Sequence, residues 1–497
     1  MHHSETMDDS LISDVSSADV LIVGAGMSGI CMAIKLKRLG INFLIVEKAS
    51  DIGGTWLLNR YPGCACDVRS ALYSYSFEPN PDWSHYWSGQ PEILAYLQRC
   101  VTKYELRSSI KFNTRVTRAY YDNEGGIWRL ETEGGESLSG KFLVGAMGPL
   151  HKERYPDIPG RESFQGASFH TASWDSSVDL VGKRVGVIGN AASAVQLVPT
   201  VAEMASELTV FQRTPNYLLP RPNRRYSAWT KALFRTLPTI QRLHRWSLYW
   251  FNEILFGLFF KADRYSAHLA ERWMLKYIEK KVSSPELLEK LKPDYRPGCK
   301  RLLFDESYYS SLQREHVTLQ TEPIVRIEKD GVHTESGTHD LDVLIYATGF
   351  ELLDSAMLSK VEGRAGRSLE MVYRERRDSY LGILVPEFPN FFFLLGPNSG
   401  LGHTSVLLMM EWQVNYIGKL LKRMGRHGLN RVEVRPEVAE AYQEEMWNRL
   451  GESIWEQGQC RSWYQDEKGK AFALWPGHTF EYWWRTLKPN FDHLITH

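Results

Sequence analysis

Two glycine-rich motifs, each between a predicted strand and a predicted helix, could bind nucleotides. The first is Gly24-Ala25-Gly26-Met27-Ser28-Gly29, which follows an apolar run at residues 18–23. Gly24 permits a tight turn, Gly26 lets the backbone approach a pyrophosphate, and Gly29 lets the helix pack on the strand. A second apolar run, residues 42–46, is followed by Glu47, whose carboxylate can bond the hydroxyls of a ribose. This arrangement predicts a dinucleotide site.

The second motif begins at Gly189 and is degraded, because Ala191 and Ala194 replace its second and third glycines. Alanine is tolerated at the third position, whereas at the second it narrows the approach to a phosphate. The strand that follows ends on Gln212-Arg213-Thr214 rather than on an acid. A guanidinium there can pair with a 2′-phosphate, which favours NADPH over NADH, although a surface arginine would give the same pattern.

Three further segments carry side chains that could react or hold a ligand. Residues 164–175 connect the two motifs and contain His170, Asp67 lies in a loop after a Pro-Gly turn, and Lys300-Arg301 follow another Pro-Gly turn. Each is also typical of ordinary structure: a packed turn with a satisfied histidine, a capping or solvated carboxylate, and a salt-bridging pair. The residues alone leave both interpretations open.

The elements that would position these residues alternate between short apolar strands and helices, which indicates an α/β fold with two Rossmann-like dinucleotide-binding domains. The second domain is inserted in the first and carries a helical insertion. The predicted division is a disordered tail at 1–17, the first domain in two parts at 18–150 and 341–497, a linker at 151–180, and the second domain at 181–340 with its insertion at about 225–295.

Composition excludes several classes of protein. The 497 residues include 59 basic and 59 acidic residues, so no excess charge points to nucleic acid. The six cysteines are scattered, and Cys64-Ala65-Cys66 lacks the spacing of a redox dithiol or a zinc site. We therefore expect no metal, no structural disulfide and a cytoplasmic location. The apolar run 246–260 is too short to span a bilayer; it favours a buried or pocket-lining helix, with peripheral membrane contact as the alternative.

The motifs taken together resemble the type I Baeyer–Villiger monooxygenases of the class B flavoprotein monooxygenases. The fingerprint of that family is Phe-x-Gly-x-x-x-His-x-x-x-Trp followed by Pro or Asp, and the connector matches it at every fixed position. The segments Gly-Gly-Thr-Trp, Arg-Tyr-Pro-Gly-x-x-x-Asp, Gln-Arg-Thr-Pro and Ala-Thr-Gly-Phe are also similar. The matching residues of the fingerprint are Phe164, Gly166, His170, Trp174 and Asp175.

The resemblance implies a role for each matching residue. It implies that Arg301 lies over the flavin, that Asp67 is its carboxylate partner, and that His170 takes part in domain movement and NADPH use. The residues implied to bind FAD are Gly24, Gly26, Gly29, Glu47, Gly54, Thr55, Trp56 and Asp67. Those implied to bind NADPH are Gly189, Ser193, Gln196, Arg213, Thr214 and Lys300.

The implied reaction uses NADPH and molecular oxygen to insert one oxygen atom beside the carbonyl of a small apolar ketone, through a peroxyflavin, giving an ester or lactone. A related monooxygenase acting on sulfur or nitrogen would share nearly every motif. A pyridine-nucleotide disulfide reductase would need a close dithiol, and a non-catalytic FAD-binding sensor would fit the degraded second motif. The substrate, and whether the protein is a monomer or a homodimer, stay open.

Overall fold

The computed structural model describes residues 16–259, 265–351 and 358–497. The predicted amino-terminal tail lies outside these residues except for its last two positions. Ser17 already belongs to the first strand, one residue before the predicted start of the first domain. Within the described ranges, no helix is long and apolar enough to cross a membrane.

The strands are numbered in chain order. They are β1 Ser17–Val23, β2 Phe43–Val46, β3 Ile110–Lys111, β4 Val116–Asp122, β5 Ile127–Thr132, β6 Ser137–Gly145, β7 Ala167–His170, β8 Arg184–Ile188, β9 Glu207–Phe211, β10 Leu218–Leu219, β11 Leu303–Phe304, β12 Val317–Gln320, β13 Ile324–Glu328, β14 Gly331–Thr334, β15 Gly337–Asp340, β16 Val343–Tyr346, β17 Val361–Glu362, β18 Phe391–Phe393, β19 Val432–Val434 and β20 Leu494–Thr496.

The helices are numbered in the same way. They are α1 Met27–Leu39, α2 Thr55–Leu58, α3 Gln90–Lys103, α4 Ala192–Met204, α5 Ala228–Thr236, α6 Pro238–Phe259, α7 Tyr265–Lys281, α8 Pro285–Leu291, α9 Tyr308–Ser311, α10 Leu369–Glu375, α11 Val406–His427, α12 Pro436–Gly451, α13 Ile454–Gln457 and α14 Thr479–Thr486. Single turns of 3₁₀-helix lie at Arg107–Ser109, Arg161–Ser163, Thr171–Ser173 and Phe491–His493.

The first sheet has the order β17-β4-β5-β6-β1-β2-β3, and β18 pairs with the end of β6. Strands β18, β6, β1, β2 and β3 run parallel, with Ile22 of β1 between Ile45 of β2 and Val144 of β6. Strands β4, β5 and β6 form an antiparallel meander at one side. The parallel strands are apolar runs because both of their faces are covered; helix α1 packs between this sheet and α11.

The second sheet has the order β12-β9-β8-β16-β7, and every pair in it is parallel. Its edge strand β7 belongs to the connector, and β16 follows the predicted boundary at residue 340. The chain therefore leaves the first sheet after β6, builds the second, and returns to the first at β17 and β18. The predicted α/β architecture of two Rossmann-like units, the second inserted in the first, is confirmed; the exact domain boundaries stay a prediction.

Helices α5 to α8 form the helical insertion. The run 246–260 was expected to form a buried or pocket-lining helix, and for the described part of α6 burial holds for Phe256 but not for most of its apolar side chains. Trp246, Phe251 and Ile254 are exposed, whereas the polar Gln241 and Glu253 are buried. The sequence pattern shows that a helix has an apolar and a polar face, but only the tertiary structure decides which of them packs against the rest of the protein. In α6, hydrogen bonds to distant segments turn the polar side chains inward.

Candidate active site and cofactor sites

The first glycine motif forms a close backbone cradle where β1 turns into α1. Gly24 has φ +108°, in the region that favours glycine, and a Cβ there would lie 2.6 Å from the carbonyl oxygen of Ala146. A Cβ on Gly29 would lie 1.9 Å from the carbonyl oxygen of Gly24. Helix α1 begins after Gly26 with no acidic residue in its first turn. Its amino end therefore offers backbone N–H groups and a positive dipole to a pyrophosphate.

Glu47, the acid after β2, is buried and already bonded to backbone. Its two carboxylate oxygens accept from the amides of Ala25 at 2.6 Å and Ala49 at 2.8 Å. These bonds fix the carboxylate beside the glycine turn. Each oxygen keeps a further lone pair that can accept from a ribose hydroxyl.

A second close approach joins Gly54 to the cradle. A Cβ on Gly54 would lie 3.0 Å from the Cα of Gly26, so the two loops nearly touch through backbone alone. Thr55 and Trp56 open the short helix α2. The Trp56 indole Nε1 donates to the Tyr73 hydroxyl at 3.1 Å, which fixes the ring on the inner side of this loop.

Asp67 and Arg301, which are 234 residues apart, form a two-pronged ion pair. Arg301 Nε donates to Asp67 Oδ2 at 2.6 Å and Nη2 donates to Asp67 Oδ1 at 2.9 Å. Arg301 Nη1 also donates to the carbonyl oxygen of Leu401 at 3.2 Å. The side chains of Arg301 and Asp67 are 24% and 20% exposed, so the pair is part-buried and keeps some access to solvent.

The pair is charged at neutral pH. Burial opposes ionisation of Asp67, but the charge and hydrogen bonds of Arg301 outweigh it and hold the pKa of Asp67 below its usual value. Burial likewise disfavours the guanidinium, and the Asp67 carboxylate more than offsets this, so the pKa of Arg301 is raised. Tyr464 lies beside the pair; burial raises the pKa of its hydroxyl to about 12, against the effect of Arg301. Sequence reasoning missed Tyr464, for which no local motif exists.

A further group missed from the sequence is built around the buried carboxylate of Glu253. It accepts from His403 Nε2 and His478 Nδ1, both at 3.1 Å, and from the Thr479 amide at 3.1 Å. The ring of Phe256 stacks on His403 at 3.8 Å. Since His403 is two residues from Leu401, this group ties the inner side of α6 to the loop that holds Arg301.

The second motif repeats the turn of the first with less room for a phosphate. Gly189 has φ +111°, and a Cβ there would lie 2.4 Å from the Ala347 carbonyl oxygen. Ala191 is the exposed residue before α4, Ser193 lies in the first turn of that helix, and the fully buried Ala194 packs beneath it. The backbone geometry of a dinucleotide site is therefore retained, with two methyl groups added.

Two cations converge beyond β9. Arg213 is exposed, and Lys300 lies with its ammonium 4.6 Å from the ring centre of Tyr295. The pKa of Lys300 is lowered, first by burial and then by the positive charge of Arg213. Thr214 is held beside them because its carbonyl accepts from Asn190 Nδ2 at 2.7 Å. Two cations close enough to repel each other suit a doubly charged ligand such as a 2′-phosphate.

Gln196 of α4 is bonded to the protein itself. Its amide oxygen accepts from the Tyr61 hydroxyl at 2.9 Å and the Ala65 amide at 3.2 Å, and its Nε2 donates to the Ala65 carbonyl at 3.0 Å. These bonds join the second sheet to the loop that carries Asp67. The predicted contact of Gln196 with NADPH stays a prediction.

His170 ends strand β7 and pairs in register with Tyr346 of β16. Its Nδ1 accepts from the Ala172 amide at 3.1 Å, while the rings of Tyr155 and Phe350 contact its faces and edge. The side chain is fully buried, and burial lowers its pKa, which favours the neutral ring. His170 thus lies where the connector meets the segment that returns to the first sheet.

The expectation of no structural disulfide is wrong, since Cys299 and Cys460 are bonded. They are 161 residues apart, so no spacing in the sequence signals the pair. Tertiary structure brings them together because the Arg296 amide donates to the Gly458 carbonyl at 3.0 Å. Cys31, Cys64, Cys66 and Cys100 are free and buried. The disulfide anchors the turn that carries Lys300 and Arg301 to the loop that leads to Tyr464.

Two sites of this geometry define an oxidoreductase with two dinucleotides. Residues 21–245, which contain both glycine motifs, match the family model described as pyridine nucleotide-disulphide oxidoreductase. A Baeyer-Villiger monooxygenase of Pseudomonas aeruginosa is 40% identical over 486 residues, covering 96% of this chain and 91% of the relative.

Solved structures of related monooxygenases support the same family assignment. The complex of OTEMO with FAD and NADP has a TM-score of 0.88 at 29% identity, over 97% of this chain and 99% of that one. Cyclohexanone monooxygenase from Rhodococcus sp. Phi1 bound to NADP+ has a TM-score of 0.87 at 29% identity, over the same shares. The chain belongs to the Baeyer–Villiger monooxygenase family. The predicted class of enzyme, a flavin monooxygenase with FAD and NADP as cofactors, is confirmed.

Proposed function

We propose that this enzyme inserts one oxygen atom beside the carbonyl of a small apolar ketone, giving an ester or lactone, and that Arg301 and Asp67 provide its fixed charges. The observation that carries the proposal is the two-pronged pair between these side chains. Its bonds and the bond to Leu401 use three of the five N–H donors of a guanidinium. The two remaining N–H groups, with Tyr464 beside the guanidinium, would be the donors to a reacting oxygen.

The residues present fit both cofactors. The cradle at Gly24, Gly26, Gly29 and Gly54 would hold the pyrophosphate of FAD, and Glu47 its ribose. Gly189 with the start of α4 would hold the pyrophosphate of NADPH, and Arg213, Thr214 and Lys300 its 2′-phosphate. FAD supplies the activation of molecular oxygen once NADPH has reduced it.

Arg301 would stabilise negative charge that develops on the carbonyl oxygen of the ketone. Its raised pKa keeps the guanidinium positive throughout, so it acts as a fixed charge and not as a proton donor. Asp67 would hold the planar guanidinium of Arg301 in one orientation, so that no free energy is spent on reorienting it during the reaction. Such a group contributes a factor of about 10² to 10³ in rate. His170, buried where the connector meets the segment after β16, would act as a positioning residue that couples the second sheet to the returning chain.

An apolar ketone is the substrate class that the helical insertion favours. Phe256 of α6 stacks on His403, two residues from Leu401, which accepts from Arg301. Relatives named for cyclohexanone and steroid substrates support the same class. Oxygenation of sulfur or nitrogen is the rival outcome of the test below.

The test compares Arg301→Gln with Arg377→Gln. Arg377 pairs with Asp466 at 2.9 Å and its side chain is also 24% exposed, so it controls for the loss of a part-buried ion pair. We expect Arg301→Gln to retain FAD and its reduction by NADPH but to lose ester formation by at least about 100-fold. Products from a panel of ketones and sulfides are identified by mass. Near-normal ester formation by Arg301→Gln would overturn the assignment, and sulfoxides alone from the wild type would replace the ketone by a heteroatom.

We keep the cytoplasm as the proposed location, and the state of the cysteines bears on it. Four free, buried cysteines agree with it, whereas the bond between Cys299 and Cys460 is typical of an oxidising compartment. Alkylation of thiols at the moment of cell lysis, followed by mass analysis of both peptides, measures the fraction bonded in the cell. A largely reduced pair supports the cytoplasm.

A further inference from the structure

Helix α6 has its apolar side chains on the outside. Leu243, Trp246 and Ile254 are 61–64% exposed, and Phe251 and Leu255 are exposed as well. With the half-buried Trp250, these six residues recur at the three- and four-residue spacing of one helix face. We call this set the outer face. A surface helix in water normally shows the reverse pattern, with polar groups outside.

The opposite side of α6 carries polar side chains beside the buried Phe256, and distant segments bond to these polar groups. Gln241 Nε2 donates to the Asn80 carbonyl at 2.7 Å, and Arg245 Nη1 donates to the carbonyls of Ala71 at 2.6 Å and Ser74 at 3.0 Å. Glu253 is bonded as described above. These bonds fix the rotation of the helix, so the outward direction of the apolar side chains is a built feature of the fold.

The outer face continues onto helix α14. The rings of Trp246 and Trp250 are 5.9 Å apart, and Trp250 lies 6.2 Å from Phe480. Phe480, Trp483 and Trp484 are exposed at helical spacing on α14. Continuous apolar surface rich in tryptophan is unusual on a protein that meets only water, and it marks an interaction site.

The stretch of chain that leads into α6 is rich in basic residues, one of which, Arg235, pairs with Asp82. The chain as a whole is neutral, yet residues 208–252 contain no Asp or Glu. The basic residues of this stretch are Arg213, Arg221, Arg224, Arg225, Lys231, Arg235, Arg242 and Arg245. Arg224, Arg225, Arg235 and Arg242 are exposed, and the first acid after them, Glu253, faces inward.

We propose that the outer face docks on the surface of an anionic lipid bilayer. Tryptophan, large aliphatic side chains and flanking arginines are the composition of a helix that lies in the interface plane, with its apolar face among the acyl chains and its cations at the headgroups. A second copy of the chain is a poor partner, because a symmetric contact would bring the two basic stretches together. This inference does not depend on the proposed substrate.

The test is co-sedimentation of the FAD-loaded enzyme with vesicles of phosphatidylcholine alone or mixed equally with phosphatidylglycerol. We expect binding to the anionic vesicles, weakened about tenfold or more without phosphatidylglycerol or at high salt. Trp246→Ser and Ile254→Ser should each lower the partition constant about tenfold. Val181→Ser is the matched control, since Val181 is 62% exposed on another part of the surface, and it should bind like the wild type.

FAD content and oxidation of a soluble ketone should be unchanged in all three variants, which shows that they are folded. The proposal fails if the wild type does not sediment with anionic vesicles, or if Val181→Ser loses as much binding as Ile254→Ser. It also fails if light scattering detects a dimer that Ile254→Ser dissociates while vesicles bind neither protein, because the occupant is then a second copy.

Discussion

At the first nucleotide site, three glycines and Gly54 bring backbone against backbone, whereas at the second, two alanines stand in place of glycines and two cations are added. In the first, a Cβ on Gly29 would overlap the Gly24 carbonyl; in the second, the equivalent Ala194 is accommodated with its methyl fully buried. We infer that binding at the first site depends mainly on close steric fit, and that charge contributes more at the second. We therefore expect the first to retain its dinucleotide and the second to exchange its own, with an affinity that depends on salt.

The largest effect is expected from adding a methyl group to the first site. Gly29→Ala would put a Cβ 1.9 Å from a backbone oxygen, which only a shift of α1 or β1 can relieve. We expect loss of most bound FAD and a stability loss of about 3 kcal/mol or more. Flavin absorbance per protein and thermal unfolding measure both.

The matched variant at the second site is Ala194→Gly. It removes a buried methyl group and lowers helix propensity, at a cost of roughly 1–2 kcal/mol, without touching FAD. Equal FAD loss in the two variants would contradict the difference drawn between the sites.

A smaller effect should follow from removing charge at the second site. Arg213→Ala would delete the proposed charge-assisted contact with the 2′-phosphate, so the KM for NADPH should rise about 10- to 100-fold while the KM for NADH stays nearly constant. Steady-state oxidation of the two nucleotides gives the comparison. Lys183→Ala, an exposed cation at the opposite end of β8, is the control. If Arg213→Ala weakened NADPH and NADH equally, Arg213 would not read the 2′-phosphate.

The smallest effect is expected from exchanging the residue at the second glycine position of each motif, Gly26 in the first and Ala191 in the second. Ala191→Gly widens the approach to the phosphate, and we expect the KM for NADPH to fall roughly threefold.

Gly26→Ala makes the opposite change at the first site. The added Cβ would contact only Gly54, at 3.6 Å, so we expect the protein to fold but to rebind FAD more weakly. Reconstitution of the apoprotein with FAD measures the second change. A higher KM in Ala191→Gly would mean that the methyl group assists binding.

Much of the fold follows from local signals. The glycine motifs, the buried strands β1, β2 and β8, and helix α4 at residues 192–204 are predictable because each depends on neighbouring residues and on the burial of apolar runs. That the degraded second motif weakens binding of NADPH stays a prediction. No local signal marks Tyr464 or Leu401, which reach Arg301 only through folding.

The disulfide and the orientation of α6 both show that the sequence does not predict contacts between distant segments. Cys299 and Cys460 each look like isolated thiols in the sequence, and the prediction of none bonded was wrong for that reason. For α6, the sequence indicates an apolar helix, and burial is the ordinary expectation for such a run. Gln241 and Glu253 instead turn the polar side of the helix inward, because their hydrogen-bond partners lie on segments more than 100 residues away in the sequence.

The sequence by itself determined the two Rossmann-like units, their order, and the family, since these are carried by short motifs whose residue types have direct steric and electrostatic reasons. The tertiary structure decided which charged groups meet: Asp67 with Arg301, Glu253 with His403, and Cys299 with Cys460. It also decided that the apolar face of α6 points outward. These pairings and this orientation depend on contacts between distant segments, and the spacing of neighbouring residues gives no information about the energy of those contacts.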